Sequence, residues 1–193
     1  MTTTRKTRAN GEESRRKIIE AATEIAGERG YEGTSISLVS ERSGLPASSI
    51  YWHFADKDAL IAAVIRESFE RWRSLMAADL DGMTKSDDPA ARLSATMRQN
   101  GRAILEAPDF LRLGLMLTLE RRPTEPAART LFLDIRQETR AATRAGYEQL
   151  FGDTLGEGGA AILALMAMGI FATHDAVVKT LGASYSPFQI VFF

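Results

Sequence analysis

The sequence predicts an all-α protein, with a small N-terminal helical domain followed by a larger helical C-terminal domain. Apolar residues recur at three- and four-residue spacings through most of the chain, and glycine or proline separates one helical run from the next. No segment alternates apolar and polar residues with the period of a strand, and no internal repeat is apparent. A chain of 193 residues can bury a substantial core in two unequal domains.

The first three predicted helices are closely spaced, and the second and third are short. Their ranges are Ser14–Arg29, about two turns from Ile36, and Ala47–Phe54. Gly30 ends the first helix, either Thr34 or Ser35 can cap the second, and Pro46 is tolerated at the start of the third. A supporting helix, a two-turn helix, a glycine-containing turn and another short helix describe a helix-turn-helix unit.

Five further helices are predicted, each bounded by a capping residue, a proline or a glycine. Their ranges are Asp56 to about Leu80, Pro89–Glu106, Pro108 to the break at 121–123, Thr124 to Phe151, and about 158–181. Gly152 is predicted to end the helix that reaches Phe151. In the helix at Pro89–Glu106, the side chains predicted to face inward are Leu93, Met97, Ile104 and Leu105.

Composition excludes several classes of site. The chain has no cysteine and two histidines, which excludes disulfides, thiolate zinc sites and cysteine nucleophiles and leaves too few imidazoles for most metal sites. The sequence shows no nucleophile with a base and no glycine-rich phosphate loop, so neither an enzyme, a metal nor a cofactor is expected. A helical enzyme using His174 and Asp175 is the alternative from a different functional class. The polar N-terminus lacks a secretory signal, which predicts a cytoplasmic protein.

The last predicted helix is apolar on all sides. It contains no charged residue between Gly158 and His174 and is rich in alanine, glycine, methionine and leucine. A membrane span needs about 20 apolar residues, more than this stretch provides, so a buried helix is predicted rather than a membrane segment. Small side chains allow another helix to approach closely, which favours a subunit interface at Leu165, Met168 and His174.

The N-terminal segment is basic although the net charge of the chain is only −1. Its basic residues are Arg5, Lys6, Arg8, Arg15, Arg16 and Lys17, and its acidic residues are Glu12 and Glu13. Two interpretations remain open: a solvated tail, or an arm that contacts phosphates and becomes ordered on DNA.

The residues around the helix-turn-helix unit are themselves recognisable. They are Gly30-Tyr31-Glu32-Gly33-Thr34-Ser35-Ile36, Glu41-Arg42-Ser43-Gly44-Leu45-Pro46, Ile50-Tyr51-Trp52-His53-Phe54 and Lys57-Asp58-Ala59-Leu60. Across Ser14 to Leu60 the chain resembles the tetracycline-repressor (TetR) family, and the Tyr-Trp-His run followed by Phe and Lys is the most specific part of the match. The resemblance implies a DNA-binding domain at 1–55 and a ligand-binding and dimerisation domain at 56–193.

The resemblance also implies which residues contact DNA. They are Thr34, Ala47, Ser48, Ser49, Tyr51, Trp52, His53 and Lys57. Hydroxyl, phenol and ammonium groups suit phosphate oxygens, whereas the short side chains at the start of the third helix suit a close approach to base edges in the major groove. Ile50 and Phe54 are predicted to be core, with the ring of Tyr51 beside them and its hydroxyl reaching outward. Because Ala47, Ser48 and Ser49 carry few groups that read bases, we expect some dependence on DNA shape.

For the second half, the resemblance implies a sensor of a small molecule. Candidate pocket residues are Trp72, Met76, Met97, Phe110, Leu113, Met116, Leu117 and Met166, although most of them are expected to be core. Adaptable methionines favour an apolar or aromatic effector. The expected function is a homodimeric repressor that binds a palindromic operator in double-stranded DNA and is released by its ligand. A ligand-independent regulator or an activator of the same fold is the alternative.

The end of the sequence is unusually apolar for a terminus. Residues 184–193 close with Ile190-Val191-Phe192-Phe193. Docking of this segment on the core and an altered or truncated chain end both remain open.

Overall fold

The computed structural model describes residues 2–77, 87–119 and 124–181. Side chains are described at 10–77, 87–119, 124–156, 158–159 and 162–163. The described residues form helices joined by short turns and contain no strand, which confirms the predicted all-α class. The apolar segment 184–193 lies outside the described residues.

Seven helices cover most of the described chain. They are α1 (Thr2–Arg29), α2 (Ile36–Ser43), α3 (Ala47–His53), α4 (Lys57–Ala77), α5 (Pro89–Glu106), α6 (Asp109–Leu119) and α7 (Ala127–Leu181). None of the helices within the described ranges is long and apolar enough to cross a membrane.

The chain divides into two compact units. One comprises Met1–Ser68 with Asp109–Leu131, and the other comprises Phe69–Pro108 with Phe132–Phe193. Both α4 and α7 therefore begin in the first unit and continue into the second. The boundary predicted between residues 55 and 56 separates two functions, and it stays a prediction.

The first unit is built around the helix-turn-helix segment. Helix α1 packs against α2, α3 and α6, and α2 packs against α3. The core combines the inner faces of α1 to α4 with that of α6, and its fully buried aliphatic side chains include Ile18, Val39, Ile50, Leu60 and Val64. Burial of each such side chain contributes about 1.5–3 kcal/mol, so this apolar core holds the short α2 and α3 in place.

The local sequence explains the turn between α2 and α3. Ser35 caps α2, because its hydroxyl accepts a hydrogen bond from the Leu38 amide at 3.2 Å. Gly44 follows the helix with φ of +68°, in the left-handed region that glycine adopts without steric cost. Pro46 stands immediately before α3 with extended backbone, and the helix ends at His53, with Phe54 as its extended C-terminal cap.

Two predicted helix limits are wrong. Helix α1 starts at Thr2 rather than Ser14, because the polar residues before Ser14 continue its turns without contributing an apolar stripe. In α7 the break falls at Gly156, where φ is +69°, and not at Gly152. Gly152 keeps the helical conformation, since a glycine permits a left-handed residue but does not require one.

The inward face predicted for α5 is confirmed at Leu93, which is half-buried and packs against buried residues of α7, but it is wrong at the other three residues. Met97, Ile104 and Leu105 are exposed, with Leu105 at 82%, whereas the buried positions are Thr96, Gln99 and Ala103. The polar side chains are tolerated because they have partners: Thr96 donates a hydrogen bond to the Arg92 carbonyl, and Gln99 donates one to the Leu75 carbonyl. Hydrogen-bonded polar groups thus define the buried side of this helix.

The second unit has its own small apolar cluster. Tyr147, Leu150 and Phe151 of α7 are buried there, with Leu93 and Leu163 packed against them. The Arg92 guanidinium lies 5.8 Å from the centre of the Phe151 ring and donates a hydrogen bond to Thr154 at 2.9 Å. This cluster joins α5 to the middle of α7.

Candidate nucleic-acid interface

Helix α3 has one buried side and one side that faces solvent. Ile50 is fully buried and Phe54 nearly so, which anchors the helix as predicted. Trp52 is 76% exposed and Tyr51 is 55% exposed, so the Tyr51 ring lies outside the core rather than beside Ile50. An indole left in water offers a large stacking surface to a partner, because little of it is used in folding.

The other predicted contacts on α3 lie close to these rings. Ser48 is exposed, whereas Ala47 and Ser49 are half-buried. A shallow surface cleft is lined by Ser14, Ser48, Ser49, Trp52 and His53. The structure thus brings together the two serines, the tryptophan and the histidine proposed for DNA contact, and adds Ser14 of α1.

Ser14 orients the His53 ring. The Ser14 hydroxyl donates a hydrogen bond to the Gly11 carbonyl at 3.0 Å, and the same oxygen lies 2.9 Å from Nε2 of His53. Because a hydroxyl has one hydrogen, this arrangement makes Nε2–H of His53 the donor to Ser14. Sequence reasoning missed Ser14, since nothing in the pattern of α1 sets this polar residue apart from its neighbours.

The surroundings of His53 favour its neutral form. Burial of the ring, and then the positive charge of Arg15, lower the pKa of His53 below its ordinary value of 6.5. The Arg15 guanidinium lies 5.6 Å from the centre of the Phe54 ring and pairs with Glu67. His53 therefore presents an uncharged imidazole at neutral pH.

A pH dependence of stability follows from this lowered pKa. Below pH 6.5 the unfolded chain binds a proton at His53 more readily than the folded chain, so stability decreases as the pH falls from 6.5 towards the folded pKa. We expect the melting temperature to drop between about pH 7.5 and 5.5, and to drop less in His53→Gln. Equal pH dependence of the two proteins in thermal unfolding would contradict the assignment.

Lys57 has an intramolecular role in the structure. Its ammonium lies 4.2 Å from the centre of the Tyr31 ring and donates a hydrogen bond to the Tyr31 carbonyl at 3.2 Å. Glu32 is a further partner, with its carboxylate at 3.8 Å. These contacts hold the start of α4 against the turn between α1 and α2, and a phosphate contact by Lys57 stays a prediction.

Thr34 lies inside the fold. Its side chain is only 1% exposed, and its hydroxyl donates a hydrogen bond to the Gly30 carbonyl at 2.8 Å. The structure thus separates Thr34 from the exposed face of α3. Its position supports a structural role in the turn before α2, and donating a hydrogen bond to a phosphate would require breaking the bond to Gly30.

Some basic side chains near this surface pair with carboxylates. Arg16 hydrogen-bonds Glu13 at 2.7 Å and Glu20 at 2.5 Å, and Arg42 binds Glu24 at 2.8 Å. These neighbours offset part of the positive charge available to phosphates. Of the six basic residues predicted for the arm, Arg5, Lys6 and Arg8 belong to α1, and their side chains lie outside the described ones.

The predicted ligand-pocket residues are divided between the two units. Phe110, Leu113, Met116 and Leu117 are buried in the first. Trp72, Met76 and Met97 belong to the second, where Met97 is 42% exposed. The side chains of Met166 and of the predicted interface residues Leu165, Met168 and His174 lie outside the described ones, although all four residues belong to α7. A shared pocket and a dimer interface therefore stay predictions.

The segment that contains α2 and α3 is similar to known proteins. Residues 18–64 match the family model described as bacterial regulatory proteins, tetR family. The chain is 30% identical to the transcriptional repressor AcnR of Corynebacterium efficiens, over 63% of this chain and 57% of the relative. It is 34% identical to the transcriptional regulator LmrA of Bacillus subtilis, over 45% of each chain. The chain thus spans about half the length of the curated relatives that it matches.

The fold has solved counterparts. The regulator FadR of Bacillus subtilis, solved in complex with stearoyl-CoA, superposes with a TM-score of 0.59 over 90% of this chain and 91% of that one. At 16% sequence identity this likeness concerns the fold alone. The matched segment contains α2, α3 and most of the first-unit core. Over residues 18–64, this chain is thus similar to the TetR family of bacterial regulatory proteins.

Proposed function

We propose that this protein is a sequence-specific DNA-binding repressor that is released from its operator by a small-molecule ligand. The observation that carries the proposal is the solvent-facing side of α3, where Tyr51 and Trp52 are exposed next to Ser48. A helix-turn-helix places the start of its second helix in the major groove, where such side chains reach phosphates and base edges. The match of the same segment to the tetR family model supports this role.

The interface of one chain is small, so we propose that the protein binds as a homodimer. Two copies of α3 related by a two-fold axis would contact half-sites about one DNA turn apart, roughly 34–36 Å. Such symmetry requires a palindromic operator in double-stranded DNA. The apolar stretch of α7 that includes Leu165, Met168 and His174 is the proposed interface between the copies.

Release by a ligand is the second part of the proposal. FadR, which shares the fold, was solved with stearoyl-CoA, a molecule with a long apolar chain. For this protein we propose an apolar or aromatic effector in the helices of its second half. Such a ligand shifts DNA affinity only by the difference between its affinities for the two states of the protein.

An electrophoretic shift assay tests the proposal. The full chain is titrated onto DNA from around its own gene at fixed salt, with specific and scrambled competitors. A discrete complex that survives scrambled competitor is the expected result. Binding that is equally sensitive to both competitors, there and in a selection from random DNA, would refute a sequence-specific regulator.

The Tyr51 hydroxyl provides a sharper test. Tyr51→Phe removes one phenolic oxygen from an exposed side chain, so we expect unchanged stability and an operator affinity lower by about tenfold, as for a hydrogen bond to a charged group. The control is Tyr147→Phe, which removes the same atom from a buried tyrosine of the second unit. Equal affinities of the two variants for the operator would remove the Tyr51 hydroxyl from the interface.

A further inference from the structure

Asp58 caps a helix that is distant from it in the sequence. One oxygen of its carboxylate accepts a hydrogen bond from the Ala127 amide at 2.7 Å, and the other accepts one from the Ala128 amide at 3.2 Å. The first amides of any helix lack partners within that helix, and a carboxylate there also interacts favourably with the helix dipole. The start of α7 is therefore held by a side chain from the first turn of α4.

The residue before Asp58 binds a different part of the unit. Lys57 contacts the ring and the carbonyl oxygen of Tyr31, in the turn between α1 and α2. The first turn of α4 thus holds the helix-turn-helix through one residue and α7 through the next. We call Lys57 and Asp58, with Tyr31, Ala127 and Ala128, the α4 joint.

Both helices of the α4 joint lead out of the first unit. Helix α4 leaves it after Ser68, and α7 leaves it after Leu131. A displacement of the first turn of α7 must either carry α4 with it or break the two hydrogen bonds to Asp58. Two further contacts restrict the first turn of α7. Ala128 is fully buried, and the Pro126 carbonyl accepts a hydrogen bond from the Arg129 amide at 3.0 Å.

We propose that Asp58 is a positioning residue that couples the start of α7 to the DNA-binding surface. The inference rests on the proposed function and specifies which contacts carry the coupling. DNA that orders α3 also orders the first turn of α7 through the α4 joint. By reciprocity, anything that shifts the first turn of α7 changes the affinity for DNA.

Hydrogen exchange of the full-length protein, measured with and without operator DNA, tests this coupling. In the unsubstituted protein we expect DNA to slow exchange in the peptide 124–131 by at least about fivefold, the lower end of usual coupling between sites. In Asp58→Ala we expect DNA to slow exchange in α3 but not in 124–131. Asp58→Asn keeps one acceptor oxygen and is expected to restore part of the effect.

The control variant is Glu125→Ala, which removes an equal charge next to α7 without touching the two capped amides. It should keep the response of 124–131 to DNA. Slowing in α3 without slowing in 124–131 of the unsubstituted protein would overturn the coupling and leave the proposed function intact. A full response in Asp58→Ala would also overturn it, whereas failure of the unsubstituted protein to bind any DNA would overturn the proposed function and the coupling with it.

Discussion

Trp52→Ala is expected to weaken operator binding by about tenfold or more, because burying a large apolar side chain against a thymine methyl or a sugar contributes roughly 1.5–3 kcal/mol. The melting temperature should stay close to that of the unsubstituted protein. The Trp52 side chain is 76% exposed, so its removal leaves little cavity in the fold. The indole would therefore act in recognition far more than in stability.

A matched control is available on another helix. Leu105 in α5 is 82% exposed and belongs to the second unit. Leu105→Ala removes an exposed apolar side chain that has no place in the proposed DNA surface, and it should bind operator normally. Fluorescence anisotropy at fixed salt, together with thermal unfolding, separates the two effects. If both variants bind like the unsubstituted protein, Trp52 does not contact DNA.

Gly33→Ala is expected to destabilise the first unit by about 2 kcal/mol, the usual cost of forcing a methyl group into a packed site. A Cβ at Gly33 would lie 2.5 Å from Cβ of Arg29 and closer still to the Arg29 carbonyl oxygen. Backbone must move to relieve this overlap, because the carbonyl cannot rotate away as a flexible side chain can. For a chain of this size the melting temperature should fall by roughly 4–8 °C.

Gly27→Ala is the control for this substitution. Gly27 lies inside α1, and a Cβ there meets nothing within 4 Å. Alanine is the better helix former by about 1 kcal/mol, so the melting temperature should stay the same or rise. Circular dichroism on both variants measures the difference directly. Equal melting temperatures would show that the turn after α1 absorbs the added methyl group without cost.

Periodicity and caps predicted much of the fold. The limits of α5 agree with the structure at both ends. The start is a local signal, because Asp88 stands ahead of Pro89 and its carboxylate accepts a hydrogen bond from the Ala90 amide. The start of α2 likewise follows from Ser35. These features depend on residues within one or two turns of each other, which a sequence pattern records.

The buried face of α5 could not be predicted in the same way. Three of its four predicted inward residues are exposed, and Gln99 is buried because the Leu75 carbonyl of α4 accepts its hydrogen bond. The break in α7 could not be predicted either, because both Gly152 and Gly156 are glycines and only Gly156 adopts a positive φ. Packing between distant segments decides both features.

For the candidate site, the sequence by itself determined the helix-turn-helix, its core anchors Ile50 and Phe54, and the similarity of residues 18–64 to the TetR family. Only the tertiary structure decided which side chains remain available. In the folded chain Thr34 is buried, and Lys57 contacts the Tyr31 ring. Ser14 is hydrogen-bonded to His53, and Asp58 caps the start of α7. The reason is that each of these partners is a hydrogen-bonding or aromatic group brought into range by folding, and residue type alone does not specify which group it will meet.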